Sequence, residues 1–110
     1  MNSKRFDNFK RAFISGSFKE DKRHFDEIEV YLKAKGLEVV RMDKFWENQT
    51  EIDTTNFEKI DYWLVDLEYL AKCDMAVFIS GWEKHNGCRL ERKFAELSDT
   101  ITIVEYNAHK

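Results

Sequence analysis

The sequence predicts an α/β fold, a single small Rossmann-like or flavodoxin-like domain with a parallel four-stranded sheet of order 2-1-3-4 and helices on both faces. Four short runs rich in β-branched and aromatic residues alternate with three amphipathic segments. Right-handed crossovers join such strands into a parallel sheet. The 110 residues can build one core but not two. We expect one domain over residues 1–110, with its core at about 11–106 and an N-terminal extension at 1–10.

The four predicted strands are short and apolar, as buried parallel strands usually are. Their sequences are RAFIS, LEVVR, MAVFIS and TITIVE, at residues 11–15, 37–41, 75–80 and 100–105. The third strand is preceded by Cys73, which we expect in the core. With no CxxC motif, Cys73 and Cys88 are both expected to be reduced.

The three predicted helices carry apolar residues at helical spacing between these strands. The first spans residues 21–35 and ends before Gly36, a typical C-terminal stop. The second spans 55–72 and the third 88–97. The expected apolar face of the second helix consists of Phe57, Ile60, Leu64, Leu67 and Leu70 or Ala71.

One connection is long, residues 42–54, with the sequence MDKFWENQTEIDT. Because it follows the second strand, it should overhang the carboxyl ends of the sheet. A loop of this length is often a lid or specificity loop, but Phe45 and Trp46 could equally pack it down. The sequence leaves these alternatives open.

Composition and charge exclude several classes of function. With a net charge of −3 and a pI of about 5.6, the protein lacks the excess of positive charge that is typical of proteins that bind duplex nucleic acid. No apolar run reaches the roughly 18 residues of a membrane span, and the first residues lack a signal-peptide core. We therefore expect a cytoplasmic protein without a membrane partner. His85 and Cys88 lack further ligands at usable spacing, so neither a metal nor a cofactor is expected.

Ligands of open α/β sheets bind at the switch point, where the first and third strands lie side by side. Two loops meet there, SGSFKED at residues 15–21 and GWEKHNG at 81–87. The turn SGS at residues 15–17, which includes Gly16 and Ser17, offers backbone N–H groups and hydroxyls that suit a phosphate or a carboxylate, although many strand-to-helix turns share this composition. Lys19 and Arg89 are the basic residues expected near the crevice.

Other candidate residues have a structural explanation as well as a functional one. Asp66 lies off the apolar stripe of its helix, so the pattern alone favours exposure to solvent. Glu91 falls near the start of the third helix, where the dipole favours a carboxylate. His85 could be an acid–base group or a surface histidine. Trp82 could stack on a base or anchor its loop.

Three segments carry a family resemblance: AFISGSFKEDKRHFDEIEVYLKAKGLEVV, DLEYLAKCDMAVFISGW and GWEKHNGCRLERKFAE. Through them, the chain from Ala12 to Val104 resembles the nucleoside 2-deoxyribosyltransferase superfamily, which includes the 2'-deoxynucleoside 5'-phosphate N-hydrolases and small transferase-like proteins of phage and bacteria. The last segment is similar to the family pattern GWxxSxGxxxE. The three occur in the family's order over most of the chain.

The resemblance implies specific roles. Glu91, four residues after Gly87, holds the position of the nucleophile that attacks the anomeric carbon of a deoxyribosyl group. Asp66 holds the position of the aspartate that protonates or orients the departing base. Gly16 and Ser17 would contact the sugar or its 5'-phosphate. The other expected substrate-binding residues are Lys19, Trp46, Trp82, His85, Asn86, Gly87 and Arg89.

The sequence departs from the family at two positions. Phe13 stands where much of the family has a tyrosine that hydrogen-bonds the nucleophile, which implies the loss of one orienting contact. His85 stands at the serine of GWxxSxG, which helps to hold the 5' group in relatives. Either change could alter the ligand.

Three hypotheses follow from the sequence. The first is cleavage of the N-glycosidic bond of a 2'-deoxynucleoside or its 5'-monophosphate, by hydrolysis or transfer, with a slight preference for the monophosphate. The second is a nucleotide or nucleotide-sugar binding module without turnover. The third is an interaction protein that uses the aromatic residues Phe45 and Trp46. We expect a homodimer or a higher homo-oligomer, as is common among the relatives.

Overall fold

Four parallel strands form the predicted sheet in the order β2-β1-β3-β4. The computed structural model describes residues 8–108, so most of the predicted extension at 1–10 lies outside the described residues. Neighbouring strands pair in parallel throughout. The fold class and strand order predicted from the sequence are confirmed. The strands are β1 (Arg11–Ser15), β2 (Glu38–Val40), β3 (Met75–Ile79) and β4 (Thr102–Tyr106).

Helices cover both faces of the sheet. One face packs against α1 (Lys22–Ala34), whose Phe25, Ile28 and Leu32 join alternate residues of β1 and β3 in one apolar cluster. The opposite face packs against α2 (Met42–Asn48), α3 (Lys59–Leu70) and α4 (Asn86–Leu97). Every residue of the central strand β3 is buried, as expected for a strand with neighbours and helices on both sides.

Several predicted bounds were wrong. The strands β2 and β4 begin one and two residues later than predicted, and three further segments also differ. The connection at 42–54, expected to be a loop, begins with the helix α2. The second predicted helix starts at Lys59 rather than at residue 55. Glu58 and Asp61 form a capping box at this observed start. The third starts at Asn86, two residues before the predicted Cys88.

The predicted inward face of α3 was correct for Leu67 and Leu70, which pack in the core, and wrong for Ile60 and Leu64. Ile60 and Leu64 are 46% and 52% exposed, whereas Asp66 is buried together with Leu70. Because aspartate is polar, the hydrophobic pattern of the helix predicts that Asp66 faces solvent. In the folded chain, polar partners on α2 and α4 meet this side chain, and the helix is rotated to bring it inward.

Arg41, between β2 and α2, joins these elements to α1 through a buried ion-pair network. Its side chain is 2% exposed and bonds Asp43 at 2.7 Å, Asp26 at 2.6 Å and Glu29 at 2.8 Å. Asp43 is buried as well. The contacts with Lys33 and Arg41 outweigh burial and lower the pKa of Glu29 to about 2. The network therefore fixes the start of α2 against α1.

We predict that Arg41→Met lowers the free energy of unfolding by about 3 to 5 kcal/mol, because it leaves Asp43 as a buried carboxylate without its partner. Urea denaturation at neutral pH measures the loss. The control is Arg11→Met, because Arg11 pairs with Glu38 at 2.9 Å but both side chains are largely exposed. That variant should lose less than about 1 kcal/mol. If both variants lose the same free energy of unfolding, the buried ion pairs of Arg41 stabilise the protein no more than the exposed pair of Arg11.

Candidate active site

A cavity of about 450 Å³ opens beyond the carboxyl ends of β1 and β3, at the expected switch point. The turn after β1 forms one side, α3 and one residue of α2 form a second, and the start of α4 closes the third. Its lining consists of Phe13, Ile14, Ser15, Gly16, Ser17, Phe18, Lys19, Trp46, Tyr62, Trp63, Asp66, His85, Gly87, Cys88 and Glu91.

Two buried carboxyl groups meet in this cavity, Glu91 from α4 and Asp66 from α3. They are 7% and 5% exposed and share a hydrogen bond. Each has a further neutral donor: Ser15 Oγ donates to Glu91 Oε1 at 2.6 Å, and Trp46 Nε1 donates to Asp66 Oδ1 at 2.9 Å. Four elements, namely β1, α2, α3 and α4, therefore contribute to one polar cluster.

Burial raises the pKa of both carboxyl groups, because a charge in this position is poorly solvated. The donors Ser15 and Trp46 lower the pKa of Glu91 and Asp66 respectively, but burial outweighs them. The charge of Asp66 raises the pKa of Glu91 further. Two such groups titrate as a pair, and the pair holds one proton near neutral pH. A carboxylate and a carboxylic acid are thus available side by side.

Aromatic side chains form the wall next to the carboxyl pair. The ring centroids of Trp46 and Tyr62 lie 5.0 Å apart at an angle of 70°. Trp63 lies against the start of α4, where a β-carbon on Gly87 would stand 2.9 Å from its Nε1 atom. Gly87 is therefore required for close packing of Trp63. The wall offers flat apolar surfaces of the kind that bind a planar ring.

The opposite end of the cavity is formed by the turn after β1 and by His85, and apart from Phe18 its side chains are polar. The Ser17 backbone N–H donates to Asp21 Oδ2 at 2.8 Å. A β-carbon on Gly16 would stand 2.9 Å from Ile79 Cδ1, so only glycine lets the turn pack this closely on β3. His85 Nε2 lies 3.7 Å from Glu20 Oε1. This end can hydrogen-bond a ligand through Ser17, Lys19 and His85.

The structure brings most of the predicted site residues together, but not all. Three do not line the cavity: Trp82, Asn86 and Arg89. Trp82 packs on Phe78, with a centroid distance of 5.9 Å, and beneath the Arg92 guanidinium at 4.7 Å, so it anchors its loop. Asn86 and Arg89 are exposed. The predicted residues that do line the cavity are Gly16, Ser17, Lys19, Trp46, Asp66, His85, Gly87 and Glu91.

The sequence analysis missed one contact and two residues of the site. Ser15 supplies a donor to Glu91, although the phenylalanine at position 13 had implied the loss of an orienting contact. Ser15 lies two residues beyond Phe13 and so on the same face of β1, which is the signal that could have identified it. Tyr62 and Trp63 were missed because the predicted face of α3 was wrong in part.

The fold and the site define a parallel α/β domain with a buried carboxyl pair at the ligand-binding edge of its sheet. Over residues 12–104 the chain matches the model of the family described as "Domain of unknown function (DUF4406)", and it belongs to that family. No curated protein and no solved structure matches it significantly. Between residues 8 and 108, none of the helices is both long and apolar enough to cross a membrane.

We predict that Glu91→Gln removes a pH-dependent loss of stability. A carboxyl group whose pKa is raised by folding stabilises the protein below its ordinary pKa of 4.5, and this contribution is lost as the pH rises toward about 8. The wild-type free energy of unfolding should therefore fall by roughly 2 to 4 kcal/mol between pH 5 and pH 9. The variant, with a neutral amide, should fall by less than half as much in urea denaturation.

The control for this measurement is Glu68→Gln, which changes an exposed carboxyl group on the same helix as Asp66. It should keep the wild-type pH dependence. If Glu91→Gln also keeps the wild-type pH dependence, folding does not raise the pKa of Glu91.

We predict that Ser15→Ala raises the pKa of the carboxyl pair further, because it removes the donor that stabilises charge on Glu91. NMR titration of the labelled glutamate carboxyl carbons measures this shift. Ser17→Ala is the matched control, since Ser17 Oγ accepts from the Glu20 backbone N–H at 3.2 Å and has no hydrogen bond to Glu91. An unchanged titration in Ser15→Ala would show that this hydrogen bond is unimportant.

Proposed function

We propose that the protein cleaves the N-glycosidic bond of a 2'-deoxynucleoside or its 5'-monophosphate, by hydrolysis or by deoxyribosyl transfer, with Glu91 as the nucleophile. The observation that carries this proposal is the buried, hydrogen-bonded pair of Glu91 and Asp66 inside an aromatic-walled cavity. The resemblance to the nucleoside 2-deoxyribosyltransferase superfamily gives the same two residues their roles.

The first half of the reaction needs a carboxylate close to the anomeric carbon. As the bond from C1' to the base breaks, C1' acquires positive charge, and a carboxylate stabilises it and can trap it as an ester. Glu91 lines the cavity and is held by Ser15 through one oxygen. In the proposal, Glu91 attacks C1' while the bonding electron pair leaves with the base.

The second requirement is an acid for the departing base. A base that leaves as an anion is a poor leaving group, and protonation lowers the barrier to its departure. In the free protein the higher pKa belongs to Glu91, so the shared proton must pass from Glu91 to Asp66 as the substrate binds, which leaves Glu91 as the carboxylate. Trp46 orients Asp66 in the cavity. Asp66 would deliver this proton to the base. Water would then attack C1' of the ester in hydrolysis, or a second base would do so in transfer.

The dimensions and lining of the cavity support a nucleoside-sized ligand. Its volume of about 450 Å³ falls within the range of small-molecule sites. Trp46, Tyr62 and Trp63 lie next to Asp66, where the base would be, and the polar turn lies at the other end. The planar base would thus pack against the aromatic side chains, and the polar sugar would contact the turn after β1.

We predict that the protein releases free base from at least one member of a panel of deoxynucleosides and their 5'-monophosphates, measured by chromatography with and without an acceptor base. Glu91→Gln should lower the rate by about a thousandfold or more, because the amide cannot form the ester. Asp66→Asn should lower it by about a hundredfold, because the proton donor is lost.

Glu68→Gln, on the exposed side of α3, is the control and should keep the wild-type rate. Base release by Glu91→Gln at the wild-type rate would exclude the proposed nucleophile. If no compound is cleaved but some raise the melting temperature, the protein is instead a binding module.

A further inference from the structure

In the turn after β1, the backbone N–H of Ser17 is bound to a carboxylate of the same turn, that of Asp21. The Ser17 backbone N–H donates to Asp21 Oδ2 at 2.8 Å, and the Asp21 N–H donates back to the Ser17 carbonyl at 2.9 Å. Ser17 Oγ accepts from the Glu20 N–H at 3.2 Å. In a phosphate-binding turn, such N–H groups point at the ligand. Here the N–H of Ser17 is already bound to an anion.

Asp21 is held in this position by packing. It is 8% exposed, and its Oδ2 atom lies 3.0 Å from the place where a β-carbon on Gly16 would stand. It does not line the cavity but lies directly behind the turn. A phosphate that displaced it from the Ser17 N–H would leave a buried carboxylate without its donor, which is costly.

The charges at this end of the cavity also oppose a phosphate. Lys19 and His85 line this end, whereas the carboxylates Glu20 and Asp21 lie outside the lining. Glu20 Oε1 is 3.7 Å from His85 Nε2. Lys19 and Glu20 are both exposed, so water screens both charges and leaves no strong positive field for a phosphate. The start of α4 adds only about half a positive charge. A phosphate monoester would bring about −1.5 to −2 charges into this group.

We infer that this end of the cavity selects a free 5'-hydroxyl group over a 5'-phosphate, so that the substrate is the 2'-deoxynucleoside. The inference rests on the proposed function and reverses the slight preference for the monophosphate that the sequence suggested. A hydroxyl group is neutral and can both donate and accept hydrogen bonds, so it can bind Ser17 Oγ or His85 without displacing Asp21. The carboxylates that repel a phosphate leave it unaffected.

The test compares each deoxynucleoside with its own 5'-monophosphate in the same chromatographic assay. The wild-type kcat/KM should favour the nucleoside by about tenfold or more, the effect expected for like charges a few ångströms apart near a protein surface. The double variant Glu20→Gln, Asp21→Asn should reduce this preference at least fivefold, by the same electrostatic argument. Asparagine at position 21 keeps an oxygen that can accept from the Ser17 N–H.

Glu68→Gln removes one negative charge from a remote exposed position and should leave the preference unchanged. Base release with equal or greater kcat/KM for the monophosphates would overturn this inference and leave the proposed function intact. If no compound releases base, the proposed function fails, and calorimetric titration of the same compounds decides the inference. Tighter binding of a nucleoside than of its monophosphate would then support it, whereas tighter monophosphate binding, or no binding of either, would overturn it.

Discussion

The structure depends on keeping two carboxyl groups, Glu91 and Asp66, buried in contact with each other. Two charges at such a site repel each other and are poorly solvated, so the pair is stable only with a shared proton and with donors placed around it. Ser15 and Trp46 are those donors. Their elements, β1 and α2, must therefore meet α3 and α4 at one point, which the carboxyl edge of a parallel sheet provides.

Features far from the pair contribute to this arrangement. The Arg41 network fixes α2 at its first residues, and α2 carries Trp46, so an ion-pair cluster outside the cavity positions a donor of the site. Gly87 lets Trp63 pack against α4 beside the carboxyl groups. The exposure of Ile60 and Leu64 is the consequence of rotating α3 to bring Asp66 inward. Stability and site geometry are thus determined by the same contacts.

Local patterns were sufficient to predict the strands, their order and the edge at which the cavity opens, because β-branched runs and crossover handedness depend on few long-range contacts. They were not sufficient for Asp66 by itself, since hydrophobic periodicity cannot represent a buried polar side chain that meets partners from two other helices. The resemblance to a known family identified that residue and Glu91 as the pair. The contact of Ser15 with Glu91 was missed by both routes, because it is a hydrogen bond between residues 76 positions apart.

The most direct test of the account is to look for the ester on Glu91. The protein is mixed with a cleavable deoxynucleoside, quenched in acid within one turnover, digested and analysed by mass spectrometry. The account predicts one deoxyribosyl unit on the peptide that contains Glu91, and none when Glu91→Gln is treated in the same way. Rapid base release with an unmodified Glu91 peptide, or with the sugar on another residue, would contradict it.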